Sequence, residues 1–365
     1  MSRCAPEAAR ELWEGYKVGA RTVCGALPGR HGRSGHSGRV LAIVCPGQGA
    51  QTPGMLAPWL ELPRTADRLA AFSEAAGVDL TTHGTASDAD TIRDTAVAQP
   101  LIVSTSLLAL RALEDEIGAP VVPGATSGHS VGEFAAAAVA GVLGDSAAVG
   151  LVGHRARFMA EAAAAEPTGM TAVLGGDPDE VAAALAAAGV WPANVNGGGQ
   201  TVAAGSLEAL ARFAENPPAR ARVVPLQVAG AFHTPYMQPA LDKFGAVAAE
   251  WPSASPRTVL VSNADGAAYA DGTAGADVIA RLVAQVAAPV RWDLCQATLA
   301  ALGVTGLLEL APGGVLKGLA RRSLPGVETV AITSPADLPA ARDLVARHLP
   351  TSSGEPTDDS RETAQ

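Results

Sequence analysis

The stretch Gly128-His129-Ser130-Val131-Gly132-Glu133 constrains the fold of this chain more than any other. Its G-x-S-x-G form is that of a nucleophile elbow, a tight turn from a strand into a helix that exposes a serine hydroxyl. A side chain in place of Gly128 or Gly132 would crowd such a turn. The same geometry points the backbone N–H of Val131 at a substrate carbonyl. G-x-S-x-G alone occurs by chance. Histidine before the serine and glutamate after the second glycine make the pattern much narrower.

A serine at the end of a strand needs a sheet around it. Apolar runs at Val40–Cys45, Val259–Ser262, Gly306–Leu310 and Thr329–Ile332 read as buried strands. A short strand at Gly124–Ser127 precedes the elbow, with Pro120 and Pro123 kept ahead of it because proline disfavours a central strand. Helical patterns lie at Ala98–Ile117, Gly132–Ala140, Ser146–Ala164, Thr234–Ala249, Ala276–Ala284 and Leu294–Leu302. This alternation predicts an α/β layer fold with a largely parallel sheet.

One section differs. The pieces Met170–Leu174, Asp179–Ala188, Trp191–Val195, Thr201–Ala204, Leu207–Glu215 and Arg222–Leu226 read as strand, helix, strand, strand, helix, strand. That is the ferredoxin-like order. The expected organisation is a hydrolase-like α/β core at 40–164 and 229–349 with a ferredoxin-like subdomain inserted at 165–228. A cleft forms where the two meet. Residues 1–39, with frequent Arg and Gly, and residues 350–365, with almost no apolar content, read as a disordered leader and tail.

The chain has 365 residues, 48% of them hydrophobic, enough for a substantial core. A net charge of -10 weighs against a nucleic-acid partner at the level of the whole protein. No apolar run reads as long enough to span a bilayer, and the N-terminus lacks a signal-peptide core. Cys4, Cys24, Cys45 and Cys295 are scattered without metal-ligand spacing. A reduced cytoplasm is the simplest setting.

A serine hydroxyl needs a base within hydrogen-bond reach. Of the seven histidines, His31 and His36 fall in the leader and His348 near the tail. His129 adjoins the serine, where neighbouring side chains diverge. That leaves His233, in Gly230-Ala231-Phe232-His233, and more weakly His83 and His154. An ordinary α/β-hydrolase places its histidine late, after an Asp or Glu. Here a long folded stretch follows His233, which counts against a plain hydrolase. Pro46-Gly47-Gln48-Gly49-Ala50-Gln51 follows the first strand as a Gly-rich loop, and no Lys-Ser/Thr follows it as a P-loop would require.

With these two motifs, the chain from Val40 to Leu349 resembles the malonyl-CoA:acyl carrier protein transacylases, acyltransferases of fatty-acid and polyketide synthesis. The resemblance implies a Ser130–His233 dyad, with the second ring nitrogen of His233 held by a main-chain carbonyl or nearby amide. It implies an oxyanion hole from the backbone N–H groups of Gln48 and Val131. It places Arg155, in Leu151-Val152-Gly153-His154-Arg155, as the cation that binds the malonyl carboxylate through a guanidinium fork. Gln285 matches the family's active-site amide. Phe232 before the histidine goes with malonyl rather than methylmalonyl. Gln99, His129 and Asn194 are placed in the substrate site, with Asn196 and Gln200 in the same Asn-x-Asn stretch, here followed by Gly197-Gly198-Gly199.

The implied substrates are malonyl-CoA and phosphopantetheinylated acyl carrier protein, with no metal or redox cofactor, no nucleic acid, no membrane and a monomeric enzyme. Lys317, Arg321 and Arg322 form a basic cluster for the carrier. The rival readings are a thioesterase or other serine hydrolase, and a non-catalytic carrier-binding scaffold.

Overall fold

The structure is a computed structural model that describes residues 38–349; residues 1–37 and 350–365, and with them nearly all of the leader and tail, lie outside the described residues. Among the described residues ten strands form in chain order: β1 (Leu41–Cys45), β2 (Ala125–Gly128), β3 (Thr168–Gly175), β4 (Trp191–Gly197), β5 (Gln200–Ser206), β6 (Ala221–Pro225), β7 (Val259–Val261), β8 (Val290–Arg291), β9 (Gly306–Glu309) and β10 (Glu328–Ala331).

The first sheet has the order β10-β9-β1-β2-β7, and all four pairings are parallel. Its central strand β1 is the continuous apolar run Leu-Ala-Ile-Val-Cys, buried at all five positions. A parallel strand covered on both faces has no reason to alternate polar with apolar side chains. The strand before the elbow sits one residue later than expected. Its register pairs Cys45 with Gly128, so Gly128 is the last sheet residue and the turn begins at His129.

Helix starts moved for identifiable reasons. The helix expected from Ala98 begins at Thr95, because the Asp94 carboxylate caps it by accepting the Ala96 N–H at 2.8 Å. This helix, Thr95–Ile117, is long and apolar enough by length and composition to cross a membrane, contrary to the expectation that no run is. In the fold 83% of its most apolar 18-residue window is buried inside the molecule. The helix expected from Thr234 begins at Gln238, after a short 3-10 turn at Pro235–Met237 that the Thr234 hydroxyl caps.

The second sheet has the order β6-β3-β5-β4-β8. Pairings among β3 to β6 are antiparallel, whereas β8 joins β4 in parallel. At two residues β8 is too short to carry a period-2 signature, and the sequence reading lacks it. Strand alternation divides the labour of this sheet. Val173 and Ala203 point to one face and pack with Val181, Leu185 and Phe213 of the helices Pro178–Ala188 and Leu207–Glu215. Met170, Ala172, Asn194, Asn196, Gln200 and Val202 point to the other and line a cavity.

Candidate active site

The cavity measures about 530 Å³ and opens over the carboxyl ends of β1, β2 and β9. Loops diverge at such ends, which makes them the ligand sites of parallel sheets. Its floor is the elbow. A Cβ on Gly128 would lie 2.0 Å from the Gly132 carbonyl carbon, and one on Gly132 would lie 2.2 Å from the Cys45 carbonyl oxygen. Neither neighbour can move, since both are backbone. Between these close approaches Ser130 adopts φ +53°, a left-handed conformation that a non-glycine residue enters only when its surroundings hold it there. Asn263, on the loop after β7, supplies part of that hold. Its Oδ1 accepts the Ser130 N–H at 2.7 Å, and its Nδ2 donates to the Gly128 carbonyl at 2.7 Å.

His233 reaches the serine from the segment that leaves the second sheet. It too has a positive φ, +61°. The Ala231 N–H donates to Thr168 Oγ1 at 2.9 Å and the Thr234 hydroxyl to the Ala231 carbonyl at 2.6 Å, which fixes the turn. Nε2 of His233 lies 2.7 Å from Ser130 Oγ, and Nδ1 lies 2.8 Å from the main-chain carbonyl of Gln285. A carbonyl only accepts, so Nδ1 carries the proton of the neutral ring and Nε2 is left to accept from the hydroxyl. His83 bonds Ser87 and His154 bonds Arg157. Neither lines the cavity.

Arg155 comes from the helix Asp145–Ala165 and is 1% exposed. Nη1 donates to Gln99 Oε1 at 2.5 Å, Nη2 to Gln285 Oε1 at 2.8 Å, and Nη2 lies 3.4 Å from Ser130 Oγ. The Phe134 ring lies under its guanidinium, 5.6 Å from the centroid. Arg93 and Arg155 are the two formally charged side chains among the described residues of the lining, which holds no carboxylate. The site therefore favours an anionic ligand.

Burial sets the protonation pattern. It pushes His233 down to about 3, and the nearby Arg155 charge adds to the effect. It brings Arg155 down to about 9, which the Glu133 charge partly offsets. It lifts Glu133 to about 7, against the pull of the Asn263 N–H, the Gln285 amide and Arg155. A neutral imidazole beside a hydroxyl, with a cation nearby, is an arrangement for forming and holding an ester of an anionic acyl group. Among the described residues no group of three or more His, Cys, Asp or Glu is placed to hold a metal ion.

Residues 42–326 match the family described as the acyl transferase domain. The malonyl CoA-acyl carrier protein transacylase of Mycobacterium tuberculosis is 51% identical over 308 residues, covering 84% of this chain and 100% of that protein. The chain belongs to the malonyl CoA-acyl carrier protein transacylase family. The crystal structure of MCAT from Mycobacterium tuberculosis superposes with a TM-score of 0.78 at 51% identity, over 84% of this chain and 99% of that one. A malonyl-transacylase solved in complex with a holo type II PKS acyl-carrier protein superposes with a TM-score of 0.77 at 31% identity, over 83% and 99%.

For a transacylase fold of this kind, the structure gathers most of the residues singled out in the sequence. Ser130, His233, Arg155, Gln99, Phe232, His129 and Asn194 line one cavity, as do Gln48, Asn196 and Gln200. His129 Nε2 pairs with Asn196 Oδ1 at 2.8 Å, and its ring meets Trp292 edge-on. Gln285 lies on a short 3-10 turn just behind that lining, 3% exposed, where its side chain bonds Arg155 and the Ser130 carbonyl and its own carbonyl meets His233 Nδ1. Asn263 is absent from the sequence reading, and Glu133 enters it only as a letter of the motif. Glu133 has a visible signal, an acid in the first turn of the helix after an elbow, where the dipole favours it. Asn263 follows an ordinary short strand and has none.

Proposed function

We propose that this chain moves malonyl from malonyl-CoA to the phosphopantetheine thiol of an acyl carrier protein through a malonyl ester on Ser130. The observation that carries the reading is the triple of Ser130 Oγ, His233 Nε2 at 2.7 Å and Arg155 Nη2 at 3.4 Å. A nucleophile, its base and a buried cation meet at one point. His233 takes the Ser130 proton as the oxygen attacks the thioester carbonyl. The backbone N–H groups of Gln48 and Val131 receive the oxyanion. Coenzyme A leaves with the proton from His233. The carrier thiol then gives its proton to His233 and attacks the ester carbonyl; the bond from Ser130 Oγ to the acyl carbon breaks, Oγ takes the proton back from His233, and malonyl leaves as the carrier's thioester, so the kinetics are ping-pong.

Arg155 holds the malonyl carboxylate through both halves, with Gln99 and Gln285 behind it. Phe232 fills the space an α-methyl would need, a discrimination of about 1–3 kcal/mol. Asn194 and His129 shape the wall facing the acyl group. No metal or redox cofactor takes part in these steps.

The neighbour solved with its carrier supports a carrier protein as acceptor. The helix Val315–Ser323 is our candidate for its docking surface, because Val315, Leu316 and Leu319 line the cavity while Arg321 and Arg322 stand exposed on the same helix. We read 40–164 and 229–349 as the catalytic core and 165–228 as a ferredoxin-like insertion that supplies the opposite wall. The enzyme acts as a cytoplasmic monomer in this reading.

Intact-protein mass after mixing with malonyl-CoA tests it. Wild type gains one malonyl group and passes it to holo carrier protein. Ser130→Ala gains none, and Arg155→Ala gains it slowly while losing preference over acetyl-CoA. No adduct and no coenzyme A release from wild type overturns the reading; release without transfer points to a thioesterase.

A further inference from the structure

One buried carboxylate in the site has no part in the chemistry above. Glu133 is 4% exposed, and both its oxygens are engaged. Oε1 accepts the Asn263 N–H at 2.8 Å, and Oε2 accepts from Gln285 Nε2. The same Gln285 Nε2 donates to the Ser130 carbonyl at 3.0 Å, while Gln285 Oε1 accepts from Arg155 Nη2 at 2.8 Å.

An ionised carboxylate can only accept hydrogen bonds. It therefore decides which end of the Gln285 amide faces it. With Nε2 committed to Glu133 and to the Ser130 carbonyl, the amide oxygen is left for Arg155. The reversed amide would set N–H donors against a guanidinium and oxygen against a carboxylate, both repulsive in a buried site. Gln99 holds the other arm of Arg155, and among the described residues Arg155 Nε has no hydrogen-bond partner. The guanidinium is thus pinned by two amide oxygens without being neutralised by a carboxylate in direct contact.

We propose that Glu133 is a positioning residue for acyl selectivity: it fixes the Gln285 amide so that Gln285 Oε1 holds Arg155 in the pose that receives the malonyl carboxylate. The inference rests on the reading of Ser130 as the acylated residue and Arg155 as the carboxylate site. A glutamate paired directly to Arg155 would compete with malonyl. A glutamate acting through an amide orients the cation and leaves its charge for the substrate.

The test compares kcat/KM for coenzyme A release from malonyl-CoA and from acetyl-CoA in wild type, Glu133→Gln, Arg155→Ala and the double variant, with circular dichroism and thermal midpoints as folding controls. Glutamine at 133 keeps the shape but offers an N–H where an acceptor is needed. The malonyl-over-acetyl ratio of Glu133→Gln is expected to fall about 10- to 100-fold, as for a disturbed hydrogen bond to a charged group. Adding Glu133→Gln to Arg155→Ala is expected to lower the ratio no further, because the two act as one unit.

An equal loss with both acyl donors, or a further fall of the ratio in the double variant, overturns the relay and leaves Glu133 as a support of the elbow. Should Glu133→Gln fail to fold, Gln285→Leu removes the relay while keeping the main-chain carbonyl on His233, and it carries the same expected fall. A folded Gln285→Leu with its malonyl preference intact overturns the inference. Wild type that releases nothing from malonyl-CoA overturns the underlying transferase reading instead.

Discussion

The floor and the mouth of the cavity are built on opposite terms. At the floor, Ser130, Glu133, Arg155, Asn263 and Gln285 are each at most 9% exposed and bond one another across sequence separations as large as 155 residues. At the mouth, Val315 is 54% and Leu226 37% exposed, and the side chain of the half-buried Arg93 pairs with its near neighbour Asp90. The turn between β4 and β5 is three consecutive glycines at φ +74°, +55° and +76°. A floor of this kind presents oriented dipoles and charges that need no rearrangement as charge develops on the substrate. A mouth with few fixed contacts belongs to the low-stability end of a fold, where a macromolecular partner can be accommodated. Positional precision is thus concentrated around Ser130.

The sharpest way to break the contrast is to add one methyl group at each place. Gly132→Ala pushes a Cβ against the Cys45 carbonyl oxygen, at 2.2 Å in the undistorted backbone. Overpacking of that kind costs about 1–3 kcal/mol, and displacing the nucleophile by about an ångström costs roughly 100-fold in rate. Serine acylation by malonyl-CoA should therefore collapse, with a lowered thermal midpoint. Gly198→Ala meets the flexible Arg322 side chain at 2.8 Å and an unfavourable φ, a cost of about 1–2 kcal/mol. Its acylation rate should stay close to wild type. Similar losses of rate in the two variants would remove the distinction between floor and mouth.

The pH profile offers a second, smaller lever on the floor. His233, held at about 3, is neutral across the working range and stays a base as pH falls. Glu133, lifted to about 7, is ionised above that pH and protonated below it. Around it stand Arg155 and Arg281 as cations, with Tyr269 and Cys295 raised partly by its charge. Once protonated, Glu133 must present an O–H toward Asn263 N–H or Gln285 Nε2, both donors. Malonyl transfer should thus lose efficiency below about pH 7 while acetyl transfer stays flat to well below the ordinary imidazole value. Profiles of kcat/KM for the two donors, which report the free enzyme, check this. Parallel profiles would rule it out.

How much of this was legible in the sequence follows the same division. The elbow, the Gly-rich loop and the apolar strands are local patterns, and each is where its residues placed it, to within a residue or so. The order of the 165–228 segment was legible because six elements alternate with clear boundaries. Arg155 was not legible from periodicity alone. Arginine on a helix is ordinarily solvated, and what buries it is contact with residues 56 and 130 positions away. Asn263 and β8 were invisible for a related reason. Asn263 acquires its role only when β7 pairs with β2 and brings it to the elbow, and β8 only when it meets β4; nothing in three or four neighbouring letters encodes that.

The smallest expected effect lies at the mouth and bears on the carrier. Arg321 and Arg322 stand in the last turn of the helix Val315–Ser323, fully outside the bonded network of the floor. Reversing both charges leaves Leu316 and Leu319 in place, so the cavity wall and the thermal midpoint should hardly change; exposed substitutions away from packed features stay within about 0.5 kcal/mol. What should change is the encounter with an acidic carrier, through the loss of attraction across the interface. We expect KM for holo carrier protein to rise several-fold in Arg321→Glu/Arg322→Glu, more at low salt than at high, with KM for malonyl-CoA unaltered. The salt dependence separates steering from misfolding, because a damaged wall would raise both constants at every ionic strength. Screening over a Debye length of about 8–10 Å near physiological salt would erase only the electrostatic part. An unchanged carrier KM at low salt would move the docking surface off this helix and leave the exposed Val315 and Leu226 as the features of the mouth still to be explained.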